Sequence, residues 1–237
     1  MTQHTALTLK AGGLSAVAGA VIFATVRLMH GDTPAADAEA ALTFVASRPS
    51  YAAVHVFAVI GALVGLTGLL ALAGSLTRPA AWLLGRAGVT SAVVGLAVFS
   101  VESTSEGLAL PELADAASHA TPAERVEFVR AAHAVAAATH GPSLIGMALL
   151  IGVPLTLLGL AMTLEAYPSW LGWTGAVVGT ATLVAAIGLF LSPSFIDGAL
   201  LYGVLASVLA QLWLAATGIV MLRRAARLTV HPEGRPA

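Results

Sequence analysis

Six ionisable side chains lie at or near the ends of long apolar segments, and they are the candidates for chemistry in this sequence. They are His55, Glu102, Glu106, His133, His140 and Asp197. Histidine and carboxylate groups bind metals, hold haem iron and exchange protons. Such groups are costly inside a lipid bilayer, so each one near a membrane span needs a reason to be there. We expect His55, Glu106, His140 and Asp197 to form the outer vestibule of a site that binds or passes a small ligand, with Glu102 and His133 as further ligand-binding candidates.

The spacing of the histidines limits which cofactor they could share. His133 and His140 are seven residues apart, about 10.5 Å along a helix, so one small ion cannot easily take both as ligands. A metal site would therefore use His55, His140 and Glu106. A haem held axially by His55 and His140 on facing helices is a second alternative. The third alternative needs no cofactor, since polar residues at span ends often bond only to loop backbone or lipid headgroups.

The composition removes several other chemistries. The chain has no cysteine, which excludes disulfides, thiolate metal ligands and cysteine nucleophiles. It contains no P-loop, dinucleotide fingerprint, nucleophile elbow or H-E-x-x-H motif. The formal net charge of -1 gives no basic field for nucleic acid. Whether the protein is an enzyme, a transporter or a scaffold stays open.

Transmembrane helices are the elements that must position these side chains. Only 10% of the residues are charged, against about 25% in a soluble domain. Because lipid offers no hydrogen bonds to the backbone, apolar segments of about 20 residues must cross as helices. We predict an all-α bundle with six spans near residues 11–29, 52–72, 80–101, 142–162, 170–191 and 199–222. These spans form one transmembrane domain, residues 1–228, followed by a flexible cytoplasmic tail, residues 229–237.

The positive charges predict the orientation in a bacterial plasma membrane. Arginine and lysine near span ends favour the cytoplasmic side. With both termini in the cytoplasm, that side carries Lys10, Arg78, Arg86, Arg223, Arg224, Arg227 and Arg235. The two long connections then lie outside, and we predict a short helix in each. Thr33-Pro34-Ala35 begins one, and Thr121-Pro122-Ala123-Glu124, a capping box with proline at the first helical position, begins the other.

Two segments of the chain align without a gap, which suggests an internal repeat. Residues 10–23 match residues 86–99, with Gly12/Gly88, Ser15/Ser91, Gly19/Gly95 and Phe23/Phe99 at equivalent positions. A weaker third copy begins at Trp173. We therefore predict three tandem helical hairpins related by an axis along the membrane normal. The repeated small residues predict close helix packing. A stripe through Val126, Val129, His133, Ala136 and His140 predicts the buried face of the outer helix.

Three short motifs resemble a group of small uncharacterised actinobacterial membrane proteins. They are Ala53-Val54-His55, Glu106-Gly107-Leu108-Ala109-Leu110 and Trp170-Leu171-Gly172-Trp173. The group often has Asp-Gly where this chain has Glu106-Gly107. The resemblance implies the six-helix fold and implies no activity. The partners that we expect are the lipid bilayer and a further membrane protein or a second copy of the chain, because an accessory subunit of a membrane complex is the remaining alternative.

Overall fold

The computed structural model describes residues 2–34, 37–198 and 200–230, and within these ranges every regular element is a helix. The helices are α1 (Thr2–His30), α2 (Ala38–Ala46), α3 (Tyr51–Gly74), α4 (Pro79–His119), α5 (Pro122–Met147), α6 (Val153–Thr163), α7 (Ser169–Leu191) and α8 (Ala210–Val230). Two π-helical segments complete them: π1 (Ala148–Gly152) joins α5 to α6, and π2 (Leu200–Leu209) leads into α8. Among the described residues, six helical stretches are long and apolar enough to cross a bilayer. The predicted all-α bundle is confirmed.

The spanning helices pack as a ring that follows the order of the chain. α1 packs on α3, α3 on α4, α4 on α5 and α6, α6 on α7, and α8 contacts both α7 and α1. Large apolar side chains cover the outside of this ring, as at Leu63 and Val177, which are 52% and 65% exposed. Because water does not tolerate a continuous apolar belt of this kind, the protein is an integral membrane protein in contact with lipid.

Small residues let the helices approach closely, as their stripes predicted. A side chain on Gly19 of α1 would overlap the backbone of Gly65 in α3, and one on Gly95 of α4 would overlap Leu150 in π1. A Cβ at Gly68 would lie 2.7 Å from the Cβ of Ala16. In lipid, where no hydrophobic effect drives helices together, such backbone contact supplies much of the packing energy.

Two of the helices are longer than a bilayer requires and build a structure beyond one end of the ring. α4 has 41 residues, and the continuous stretch from Pro122 to Thr163 has 42, about 60 Å each against a hydrocarbon layer of about 30 Å. Their protruding parts pack with α2 around Leu42, Leu110 and Ala132. We call α2 together with residues 107–119 and 122–139 the cap.

The cap differs from the prediction at the start of α2. The predicted start at Thr33-Pro34-Ala35 is wrong, and Ala35 lies outside the described residues. The helix begins at Ala38, because the Asp37 carboxylate accepts hydrogen bonds from the N–H groups of Glu39 and Ala40 at 3.0 Å each. A helix start needs such an acceptor for its free N–H groups, and Asp37 provides it.

The start of α5 is confirmed, whereas its length and its buried face differ from the prediction. Thr121 forms the predicted capping box with Glu124. The helix then runs on through Pro142 into the fourth span instead of ending outside the membrane. Its buried positions are Ala132 and Thr139, so the predicted stripe through His133 and His140 is wrong by one residue. A shift of one residue rotates a helix face by about 100°, which leaves His133 exposed.

At the C-terminus, α8 includes residues 229 and 230 of the predicted tail, and residues 231–237 lie outside the described residues.

The opposite end of the ring is held together by polar contacts between its loops. The Glu165 carboxylate accepts hydrogen bonds from the N–H groups of Thr77 and Arg78, both at 2.6 Å. Partial desolvation raises the pKa of Glu165, but these hydrogen bonds outweigh it and leave the pKa below its usual range. The Arg224 guanidinium lies 4.0 Å from the centre of the Tyr167 ring. These contacts tie the two loops and α8 into a closed end.

Candidate functional site

A cavity of about 520 Å³ opens between the helices at the end of the ring that carries the cap. Its walls come from α1, α2, α3, α4, α5 and π2, and from the loops that follow α1 and α7. The deep part is apolar: Phe23 and Phe99, whose ring centroids are 6.0 Å apart, lie there with Ala58 and Met147. Cavities of this volume, with apolar walls and a few convergent polar groups, are typical of small-ligand sites.

The polar part of the cavity is rich in carboxyl groups. Among the described residues that line it, the carboxyl groups belong to Asp32, Glu102, Glu106 and Asp197, and the single guanidinium belongs to Arg27. Arg27 is already engaged, since it forms an ion pair with Asp32 and donates a hydrogen bond of 2.7 Å to the carbonyl oxygen of Gly31. The lining therefore has more negative than positive groups.

Three of the lining side chains converge on one point. One ring nitrogen of His30, one of His55 and a carboxylate oxygen of Glu106 all lie within 4.8 Å of one another. The two imidazole rings meet edge to face, with centroids 4.9 Å apart. His55 is buried and 6% exposed, whereas His30 and Glu106 are half-buried. We call these three residues the His–His–Glu cluster.

Backbone carbonyl groups fix which ring nitrogen of each histidine carries the proton. Nδ1 of His55 lies 2.9 Å from the carbonyl oxygen of Tyr51, and Nδ1 of His30 lies 2.8 Å from that of Gly31. A carbonyl oxygen can only accept, so each Nδ1 must be the donor. Nε2 of each neutral ring then keeps its lone pair, the form in which histidine binds a metal.

Tyr51 orients the third member of the cluster. Its hydroxyl donates a hydrogen bond of 2.8 Å to Oε1 of Glu106 and lies 3.2 Å from the hydroxyl oxygen of Thr33. Tyr51 itself is only 2% exposed and packs into the apolar core of the cap. One residue at the start of α3 thus holds His55 through its carbonyl group and Glu106 through its side chain.

A second polar group lies one helical turn before Glu106. Glu102 is 8% exposed and is in hydrogen-bonding contact with Glu106 and Ser143. Ser143 also accepts a hydrogen bond of 3.1 Å from the hydroxyl of Tyr202 in π2. π-Helical segments are rare and are frequently found at functional sites, and π2 contributes Tyr202 and Ser207 to the cavity wall.

Glycines set the positions of both histidines. α1 ends at His30 because Gly31 adopts a left-handed conformation, with φ of 69°, which only glycine adopts without strain. In α4, a Cβ on Gly107 would lie 2.6 Å from Cβ and 2.7 Å from Cγ of His55. The absence of a side chain at Gly107 therefore allows His55 to lie against the helix that carries Glu106.

The six residues singled out from the sequence do not all lie at this cavity. His55, Glu102, Glu106, His140 and Asp197 line it, and His133 does not. His140 lies on the wall but is not part of the His–His–Glu cluster, in which His30 takes its place beside His55 and Glu106. His30, Tyr51, Ser143 and Tyr202 were missed. A signal for His30 did exist, because the alignment that pairs Phe23 with Phe99 also pairs His30 with Glu106.

The fold and the cavity define a class, a six-span integral membrane protein with a polar vestibule at one end. No protein-family model, curated protein or solved structure matches the chain. The resemblance to the actinobacterial group therefore stays a prediction, and the function has to be inferred from the vestibule itself.

Replacing Gly107 with alanine should displace His55 and destabilise the protein. The new methyl group would overlap the imidazole, and overpacking of this kind costs about 1–3 kcal/mol. The apparent unfolding temperature in detergent should fall by about 5 °C. Gly141→Ala in α5 is the matched control, since its Cβ would meet only Phe190 at 3.6 Å, an ordinary contact. An unchanged unfolding temperature in Gly107→Ala would show that His55 does not pack on α4 in this way.

Proposed function

We propose that the protein binds a small cation in the vestibule at the cap end of the ring. The observation that carries the proposal is the charge of the lining. The ion pair of Arg27 with Asp32 is neutral overall, and the lining adds Glu102, Glu106 and Asp197. Even with one proton shared in the hydrogen bond between Glu102 and Glu106, negative charge is in excess among the described lining residues. A cation entering the vestibule would interact favourably with the carboxylates, and the low dielectric of the surroundings strengthens that attraction. The apolar floor around Phe23 and Phe99 leaves room for a short organic part of a ligand.

Binding is better supported than passage across the membrane. The half of the ring beyond the cavity is filled by side chains such as Leu72, Leu158 and Met162, each fully buried. The loops at that end are joined through Glu165 and Arg224. A ligand that enters the vestibule therefore meets a packed core and returns by the route through which it entered.

The vestibule faces the outside of a bacterial plasma membrane in this proposal, with both termini in the cytoplasm. Arg78, Arg223, Arg224 and Arg227 all belong to the end opposite the cap, and such residues favour the cytoplasmic side. The three tandem hairpins are part of the same proposal. They are supported by the contact between Phe23 and Phe99, which are equivalent in the aligned segments.

Cysteine labelling in intact bacterial cells tests the orientation, and the absence of natural cysteines makes the test simple. Asp115→Cys places an exposed thiol in the cap, and Ala80→Cys places one at the start of α4, at the other end. A membrane-impermeant maleimide should label the cap thiol in intact cells and the Ala80→Cys thiol only after permeabilisation. The reverse pattern would place the vestibule on the cytoplasmic side.

Binding of a cation should raise the unfolding temperature of the detergent-solubilised protein. We expect zinc or butylammonium to stabilise it by about 2.7 kcal/mol at one hundred times Kd, a rise of about 5–10 °C. Butanol and butyrate have the same carbon chain without the positive charge and serve as ligand controls. Equal stabilisation by either of them, or none by the cations, would contradict the proposal.

A pair of variants in α3 shows whether the effect belongs to the vestibule. Ala58→Phe adds a ring on the cavity wall and should abolish the stabilisation, whereas Ala53→Phe adds the same ring at an exposed position and should preserve it. The unfolding temperatures without ligand show whether both variants fold. A response to cations that survives Ala58→Phe would place their binding elsewhere.

A further inference from the structure

We propose that the His–His–Glu cluster is a zinc site, with His30, His55 and Glu106 as the three protein ligands. This inference rests on the proposed cation-binding vestibule and narrows its ligand to a divalent transition-metal ion at one position. It differs from the metal set expected from the sequence, because His30 and not His140 completes the group.

The distances suit a small ion. The three ligand atoms lie within 4.8 Å of one another, and the ligand atoms of four-coordinate zinc lie about 3.4 Å apart at bond lengths of about 2.0–2.2 Å. The ligand atoms would therefore approach one another by up to about 1.4 Å when the ion binds. Two imidazoles with one carboxylate and no thiolate is a ligand set that zinc enzymes use, with the remaining position open.

The surroundings of the ligands are those that metal sites require. Metal-binding histidine donates its other N–H to a carbonyl or carboxylate group, which fixes the ring and raises its basicity. With Nε2 of each ring as the metal ligand, both histidines meet this condition through the carbonyl groups of Tyr51 and Gly31. Glu106 has a matching partner in the Tyr51 hydroxyl, which bonds its Oε1, and it also contacts Glu102.

The cluster also has access and a place for a further ligand. Its three residues line the cavity, so an ion reaches them from the vestibule. An ion held by three protein ligands would keep one coordination position for a further ligand, and Glu102 lines the same cavity one turn away on α4. A water molecule or the head group of a small ligand would occupy that position.

Zinc titration of the purified protein tests the assignment. The protein is prepared without a polyhistidine tag, stripped with EDTA and titrated with zinc chloride in a calorimeter, and the zinc retained after dialysis is measured by mass spectrometry. We expect a single zinc ion per chain. His30→Ala and Glu106→Gln should each weaken binding by about 100-fold or more. Tyr51→Phe, which removes the hydroxyl that bonds Glu106 and contacts Thr33, should weaken it by about 10-fold.

His133→Ala is the matched control, since His133 lies away from the cavity, and it should keep the wild-type affinity. His140→Ala separates this cluster from the set expected from the sequence: a loss as large as that in His30→Ala would place His140 among the ligands and overturn the assignment. The unfolding temperature of each metal-free variant shows that it is folded, and His30 is the preferred position because it is less buried than His55.

The outcomes separate this inference from the proposed function. Absence of zinc binding, or binding that His30→Ala and Glu106→Gln leave unchanged, overturns the zinc site. If butylammonium still binds in that case and Ala58→Phe abolishes its binding, the cation-binding vestibule stands without the metal. If neither zinc nor butylammonium binds, both proposals fail.

Discussion

Tyr51 connects the polar groups of the cavity to the rest of the fold, and the site depends on that connection. Its carbonyl group holds His55 and its hydroxyl holds Glu106, while its ring is buried in the apolar core of the cap. A buried polar group without a partner costs about 1–3 kcal/mol, so each of these bonds restricts where its neighbours can lie. The packing of the cap therefore fixes the start of α3, and through Tyr51 it fixes the positions of His55 and Glu106.

The ring is tight at one end and open at the other for reasons that lie in its small residues and its irregular helices. Gly19, Gly65 and Gly68 bring α1 and α3 into backbone contact. Towards the cap, π2 and the long helices α4 and α5 line the cavity. The same six-helix ring can thus provide a packed core for stability and an enclosed polar space for binding.

Much of the fold could be predicted from the sequence. An apolar segment long enough to cross the bilayer forms a helix, because a helix satisfies the backbone hydrogen bonds within the segment. Their positions at span ends also predicted that His55, Glu102 and Glu106 lie near the same end of the bundle. His30 was missed although the repeat alignment pairs it with Glu106, because only Gly31 and the packing of α1 on α3 bring it to His55. His133 was placed wrongly because a weakly amphipathic helix does not define its buried face to within one residue, and that face depends on α2 and α4.

X-ray absorption at the zinc edge of the metal-loaded protein in detergent tests the central claim most directly, because it reads the atoms around the ion. The account predicts four nitrogen and oxygen neighbours at about 2.0–2.1 Å, with the outer-shell scattering of two imidazole rings. In His30→Ala the imidazole contribution should fall to one ring. A shell of oxygen atoms alone, or a spectrum that His30→Ala does not change, would contradict the convergence of His30, His55 and Glu106 on one ion.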